Sequence, residues 1–243
     1  MKKSFGFTLA EVLVTLGIIG VVAAMTLPVL MANYQKQQTV VKLKKAYSIL
    51  GQVAQKAIAD NGDVSLVAGE EVSSDNVKDF FTTYWLTYFN APKIYNRADD
   101  WQTSKIDGWE YVGLNGKPYD VSIMTDYSAG RIFFVTQDNM SFFIRIMDWK
   151  LEYDDEGNVT SRTAVYSSKQ VVCVDINGVK APNTVGKDMF IFLVDFQNGE
   201  VYPSLGKSSA ASINENCAKS AIGISCAAKI MRDGWKIKSD YPW

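Results

Sequence analysis

The sequence predicts an α+β fold in which one long N-terminal helix packs on an antiparallel β-sheet. Three observations predict it. Residues 7–32 form an apolar run with a single charge, Glu11. Beyond that run Val40, Leu43, Tyr47, Leu50, Ala54 and Ala57 recur at spacings of three and four, interleaved with Lys42, Lys44, Lys45, Gln52, Gln55 and Lys56. The helix therefore continues with one apolar face that needs a partner. From about residue 64 the period changes, and short runs of aromatic and β-branched residues alternate with turn signals.

The first half of the helix, at about 1.5 Å per residue, spans roughly 39 Å, more than a hydrocarbon core of about 30 Å. Its length and its lack of a polar face fit a membrane anchor better than a buried core helix. Lys2 and Lys3 precede it while Lys36, Lys42, Lys44 and Lys45 follow it, so charge alone leaves its orientation open. Asp60-Asn61-Gly62 ends the second half, with a glycine for a left-handed cap. A second helix is expected over 75–88. Asn115-Gly116 between 109–114 and 119–124 is a hairpin signal. Further strands are expected at 131–136, 140–147, 171–176, 189–196 and 200–202, punctuated by Asp138-Asn139, Asp154 to Asn158, Asn177-Gly178 and Asn198-Gly199. Residues 33–243 are numerous enough for one globular core. The chain ends in Trp235, Ile237 and Trp243, and so apolar a tail is expected to dock on the sheet and not to float free.

Composition removes several function classes. The chain has no histidine, which excludes a Ser-His-Asp triad, a Cys-His dyad and any histidine-ligated zinc site. Gly206-Lys207-Ser208 lacks the upstream glycine and the strand-to-helix context of a phosphate-binding loop. Asp99-Asp100 and Asp154-Asp155-Glu156 read as solvated loops and turns. With a net charge of −1 and a pI of about 5.6 there is no basic field of the kind nucleic-acid binding needs. The expectation is a protein that is not an enzyme and needs no cofactor.

Cys217 and Cys226 lie close together with Gly223 between them, a spacing that permits a short disulfide loop. Cys173 sits in an apolar strand and reads as a buried thiol, although its pairing with either of the others, or a reduced state of all three, stays open. Asp175, Asn177 and Asp188 cluster oxygen ligands of the type Ca²⁺ favours, beside a glycine turn. Their spacing does not match an EF-hand loop, and the commoner reading is a strand, an Asx-type turn and the next strand.

The N-terminus carries the most specific signal. Met1-Lys2-Lys3 is a basic leader, and the one well-placed small residue, Gly6, lies ahead of the apolar run and not behind it as in a secretory signal. The segment Gly6-Phe7-Thr8-Leu9-Ala10-Glu11-Val12-Leu13-Val14 resembles the type III leader and N-methylation motif of type IV pilins and type II secretion pseudopilins. The resemblance covers about thirty residues. It implies a pilin-like fold, with residues 1–6 as a leader, cleavage between Gly6 and Phe7 by a prepilin peptidase, and methylation of the new Phe7 amine. It further implies residues 7–32 as transmembrane and filament-core helix, with residues 33–243 outside the cytoplasmic (inner) membrane on a single-pass anchor, later carried into a filament in the periplasm or on the cell surface. The implied partners are the prepilin peptidase, other pilin or pseudopilin subunits, the pilus or secretion assembly platform and the membrane. Nucleic acid is not among the expected partners.

Glu11 gains a role from this resemblance. An ionisable group inside a membrane helix costs at least about 2.5 kcal/mol and marks a function. Cleavage after Gly6 would create a cation at Phe7, four residues away, so that Glu11 of one subunit neutralises the amine of its neighbour. Removing either charge leaves the other buried and unpaired. By the resemblance, Gly17, Gly20 and Pro28 mark places where the helix can loosen on assembly, Pro28 removing a backbone donor; the equal alternative is that glycine and proline are simply common in membrane helices. Pilins often staple their C-terminal region with a disulfide, as Cys217 and Cys226 would, and some pseudopilins bind calcium in a C-terminal loop. The implied function is a structural subunit of a type IV pilus or a type II secretion pseudopilus; the alternative is a minor pilin acting as a filament-borne adhesin or DNA-binding subunit.

Overall fold

Helix α1 runs Leu9–Asn61, within two residues of the expected span. The computed structural model describes residues 8–62, 68–72, 74–90, 93–95, 111–119, 130–178 and 180–243. The chain divides into two compact units, Met1–Gln38 and Thr39–Trp243.

In the first unit the large apolar side chains from Leu9 to Met31 are exposed. Thr15 Oγ donates to the carbonyls of Glu11 and Val12, and Thr26 Oγ donates to the carbonyl of Val22. Both threonine hydroxyls are thus satisfied within the helix, as a lipid environment demands. Pro28 lies inside the helix.

In the second unit Leu43, Ala46, Leu50, Val53, Ala54 and Ala57 of α1 are buried. Leu43, Leu50, Ala54 and Ala57 are positions the three-and-four spacing marks; Ala46 and Val53 lie outside that set, and the marked Val40 and Tyr47 are only partly buried against the core. The three alanines admit a close approach to the layer beneath. The helix stops at Asn61, where Gly62 takes φ +79° and its N–H donates to the Ile58 carbonyl at 2.9 Å, the left-handed cap expected. Helix α2, Ser74–Tyr84, is shorter than expected and yields to a 3₁₀ turn at Leu86–Tyr88. The reason lies in Trp85: it is fully buried and its indole N–H donates to Gln170 Oε1 at 2.6 Å, a tertiary bond that redirects the chain.

The strands are β1 Lys93–Tyr95, β2 Tyr111–Val112, β3 Pro118–Tyr119, β4 Arg131–Val135, β5 Ser141–Tyr153, β6 Val159–Asp175, β7 Met189–Asp195 and β8 Glu200–Pro203. Six of them form one antiparallel sheet in the order β1-β4-β5-β6-β7-β8. Phe134 faces Phe142 across β4 and β5, and Val172 faces Phe192 across β6 and β7. These side chains belong to the same core as the buried face of α1. The alternate residues Phe133, Phe143, Cys173 and Ile191 point to a second core completed by Tyr111, Val185 and Met189. Because both faces are covered, the central strands read as unbroken apolar runs.

The hairpin at Asn115-Gly116 is present, with Gly116 at φ +73°, but Val112 pairs with Pro118 and Tyr111 with Tyr119, so the loop is longer than a two-residue turn. Its outer limbs, 109–110 and 120–124, and the Asp99-Asp100 pair lie outside the described residues. Strands β5 and β6 extend well beyond the expected 140–147 and 171–176. Past the register shift between Arg145 and Met147 they pair with each other and leave the body of the sheet. The shift places residues 167–170 opposite Ile146, a bulge that re-aims the ribbon. Two short C-terminal helices, α3 Ala210–Asn216 and α4 Cys226–Arg232, follow the last strand without a sequence pattern that marks them. The tail docks as expected: Tyr241 is 5% exposed, and Trp235, Ile237 and Trp243 pack against the main core.

Candidate functional site

The N-terminal end of α1 is organised by its own side chains. Glu11 Oε2 accepts from both the backbone N–H and the hydroxyl of Thr8, each at 2.8 Å, and Thr8 Oγ accepts from the Glu11 N–H at 3.2 Å. This is a reciprocal capping box at the mouth of an apolar helix. Thr8 is the residue that sequence reasoning passed over, although Thr-x-x-Glu ahead of an apolar run is a readable signal. Gly6 and Phe7 lie outside the described residues. Gly17 and Gly20 have no atom within 4 Å of the place a Cβ would take, so the space beside them is open to a partner helix.

The C-terminal staple is formed. Cys217 and Cys226 are joined by a disulfide, and both are buried. The glycines around it are needed. At Gly223, φ +104°, a Cβ would lie 2.6 Å from the Val185 carbonyl oxygen, and at Gly186, φ +88°, it would lie 2.8 Å from Cys226 Sγ. The Tyr241 hydroxyl donates to the Gly186 carbonyl, tying the chain end to the same loop. Cys173 is a buried free thiol, and burial pushes its pKa up to about 12. A thiol so protected is inert. Native protein is therefore expected to show no reactive thiol toward an aromatic disulfide reagent, with one per chain on denaturation and three after reduction. A thiol titrating in the folded state would contradict this arrangement.

Asp175, Asn177 and Asp188 do come together. Asp175 Oδ2 accepts from the Tyr111 hydroxyl at 2.5 Å and its Oδ1 from the Asn177 N–H at 3.0 Å. Asp188 accepts from the Thr184 N–H at 2.5 Å and the Asn183 N–H at 2.7 Å, and Asn177 Nδ2 lies 3.4 Å from its Oδ2. The carboxylate oxygens are thus engaged by protein donors. Among the described residues no group of three or more His, Cys, Asp or Glu is placed to hold a metal ion. The thermal midpoint is accordingly expected to be the same with a chelator as with millimolar Ca²⁺; a calcium-dependent rise would assign the loop to the cation. Tyr111 entered the cluster without a sequence signal, from a strand 64 positions away.

An exposed apolar helix opening on a Thr-x-x-Glu cap, ahead of an amphipathic half packed on an antiparallel sheet, defines a pilin-like protein. Residues 1–27 match the prokaryotic N-terminal methylation motif, which carries the prepilin-type cleavage sequence of type IV pilins and pseudopilins. Residues 29–243 match the model of a family of unknown function, DUF6613, and the chain belongs to that family. No curated protein and no solved structure matches the chain.

Proposed function

We propose that this chain is a structural subunit of a type IV pilus or type II secretion pseudopilus, assembled through α1 after a prepilin peptidase cuts between Gly6 and Phe7. The observation that carries the reading is the methylation motif over residues 1–27 running directly into a helix whose apolar side chains from Leu9 to Met31 have no cover. Among the described residues this is the one helix long and apolar enough to cross a membrane. Before assembly it anchors the subunit in the cytoplasmic membrane with residues 33–243 outside; after assembly the same surface is buried against neighbouring helices. Head-to-tail association of this kind gives an open helical polymer and not a closed oligomer. The work is mechanical, and the folded unit acts as the filament's surface.

The test is the intact mass and N-terminal sequence of the protein recovered from membranes of cells that carry a prepilin peptidase. A terminus at Phe7 bearing one added methyl group is expected. An uncut Met1 terminus under those conditions would leave a plain membrane-anchored domain and remove the assembly reading.

A further inference from the structure

We propose that the end of the folded unit at which α1 enters it is a docking surface for anionic phospholipid headgroups of the bilayer that holds the anchor. This rests on the anchored state proposed above. Contacts bring four segments together at that end. Lys45 of α1 pairs with Asp138 of the β4–β5 turn at 2.6 Å, whereas Gln55, ten residues later, donates to the Gly199 carbonyl of the β7–β8 turn at 3.1 Å. α1 therefore starts beside one end of the sheet and runs toward the other. Asn139 Nδ2 of the β4–β5 turn donates to the Asn177 carbonyl at 3.1 Å, which adds the β6–β7 connection, and the Tyr241 hydroxyl donates to the Gly186 carbonyl of that connection. Lys44 Nζ lies 5.6 Å from the centre of the Trp235 ring, so the C-terminal segment meets the first turns of α1 in the unit.

The four segments, residues 39–47, 136–140, 176–188 and 229–243, carry nine basic side chains and four acidic ones. The acids are already engaged. Asp188 is 3% exposed and accepts from the N–H groups of Asn183 and Thr184, Asp138 pairs with Lys45, Asp233 with Lys229 and Lys238, and Asp240 with Lys229. A carboxylate at Trp243 subtracts one more charge, and the adjoining β2–β3 hairpin and α3 region add Lys117 and Lys219 against Glu215. Lys44, Lys180, Arg232 and Lys236 are exposed. At the other end carboxylates prevail: residues 148–163 carry five against two basic groups, and Asp60 and Glu71 lie there too, held by Tyr88 and by a bridge to Val165. A chain of net charge −1 has thus gathered its cations at one end of its folded unit.

The path of α1 selects the occupant. Thr39, the first residue of the unit, follows the end of the apolar run at residue 32 by seven residues, and α1 is helical throughout that stretch. Seven residues amount to about 10 Å of helix. With the run in the bilayer, the cations lie about one Debye length from the headgroups at 0.1 M salt, close enough for an anionic surface to attract each of them. The connecting stretch agrees with this. It adds Lys36, no acid occurs between Glu11 and Asp60, and Tyr34, 61% exposed, is a residue of the kind that stands at headgroup level. Docking of this kind holds the folded unit on the membrane until the subunit is drawn into a filament.

The test reconstitutes the full chain in vesicles with a fluorophore on Gln137→Cys, in the β4–β5 turn, and a quencher on the lipid headgroups; the buried Cys173 stays unlabelled. In mixed phosphatidylglycerol and phosphatidylcholine at about 0.1 M salt the label is expected to be quenched. Quenching should fall about fivefold in phosphatidylcholine alone, and likewise at about 1 M salt, where the Debye length is about 3 Å. Lys42→Glu with Lys180→Glu and Lys236→Glu should lower it similarly, and a label on Glu156→Cys in the ribbon turn should stay unquenched throughout. Equal quenching in neutral and anionic vesicles, equal quenching of the two labels, indifference to the three reversals, or quenching that depends on the number of chains per vesicle, which would give the surface to a second copy, would each overturn the proposal. Alkaline carbonate extraction of the same vesicles separates the two readings. A chain that washes out sinks the anchor and this surface with it, whereas a chain that stays but is not quenched sinks the surface alone.

Discussion

Replacing Glu11 with alanine is expected to leave cleavage after Gly6 intact and to reduce incorporation into filaments to background. Glu11 is the one charge between residues 7 and 32. In the free subunit its carboxylate is held by the Thr8 N–H and hydroxyl, so the group is already oriented along the helix at its N-terminal end. Those two bonds satisfy only part of its capacity, and an ionised carboxylate has about four acceptor sites. In a packed bundle of apolar helices the remaining capacity must be met by a cation, and the amine of a cut Phe7 in the neighbouring subunit is the candidate. Leaving that amine buried without its partner costs about 3–5 kcal/mol per subunit, repeated along the polymer. Two controls separate charge from capping. Glu11→Gln keeps an acceptor for Thr8 but loses the charge, and is expected to fail as Glu11→Ala does. Thr8→Ala keeps the charge and loses the cap, a cost of about 1 kcal/mol to helix order, and should assemble at reduced yield. The measurement is the amount of sheared filament against total processed subunit. Wild-type yield from Glu11→Ala would remove the pairing account.

The sequence showed the helix and the inner sheet because each obeys one period over a long stretch. Leu43, Leu50, Ala54 and Ala57 of the buried helix face follow from spacing alone, whereas Ala46 and Val53 do not, and the buried strands stand out as runs such as Ile132-Phe133-Phe134. What escaped has a physical reason in each case. The ribbon of β5 and β6 is exposed, so Trp149-Lys150-Leu151-Glu152-Tyr153 lacks the continuous apolarity that marked its inner half. Helices α3 and α4 have seven residues each, too few for a helical period to declare itself, and their placement is fixed by the disulfide and by Lys229 bridging Asp233 and Asp240. At the candidate site Glu11 was legible as a misplaced charge, while Tyr111 beside Asp175 is a tertiary contact that no local pattern encodes.

That contact leads to the second large effect: the folded unit should gain stability on acidification from pH 8 to about pH 5. Burial pushes the Asp175 carboxyl up to about 7, against the hydrogen bonds from Tyr111 and the Asn177 N–H that favour its charged form, and the neighbouring Asp188 adds to the rise. Burial raises Asp188 too, against the N–H groups of Thr184 and Asn183. A carboxyl whose folded pKa lies above its unfolded value of 3.8 contributes stability that is complete below 3.8 and lost as pH climbs through about 7. At about 1.4 kcal/mol per pKa unit, Asp175 supplies roughly 4–5 kcal/mol between those limits, of which about 3 kcal/mol falls between pH 8 and pH 5. Asp138 works the other way. Burial acts to raise it, but hydrogen bonds from Lys45 and Thr136 prevail and hold it below the ordinary carboxylate range. Asp233 is likewise held low by Lys238 and Lys229 in spite of burial. Those two groups stabilise above the unfolded pKa and lose that contribution as pH falls through their own, so the profile turns over below about pH 4. In detergent solution the thermal midpoint at pH 5 should exceed that at pH 8 by about 5–10 °C. Asp175→Asn should flatten this rise while leaving the acid limb in place, because an amide still bonds the Tyr111 hydroxyl, which can turn to accept from it, and carries no charge to desolvate. A wild-type midpoint that is level between pH 5 and pH 8, or a variant with the same slope as wild type, would show that Asp175 is not the buried acid that sets the profile.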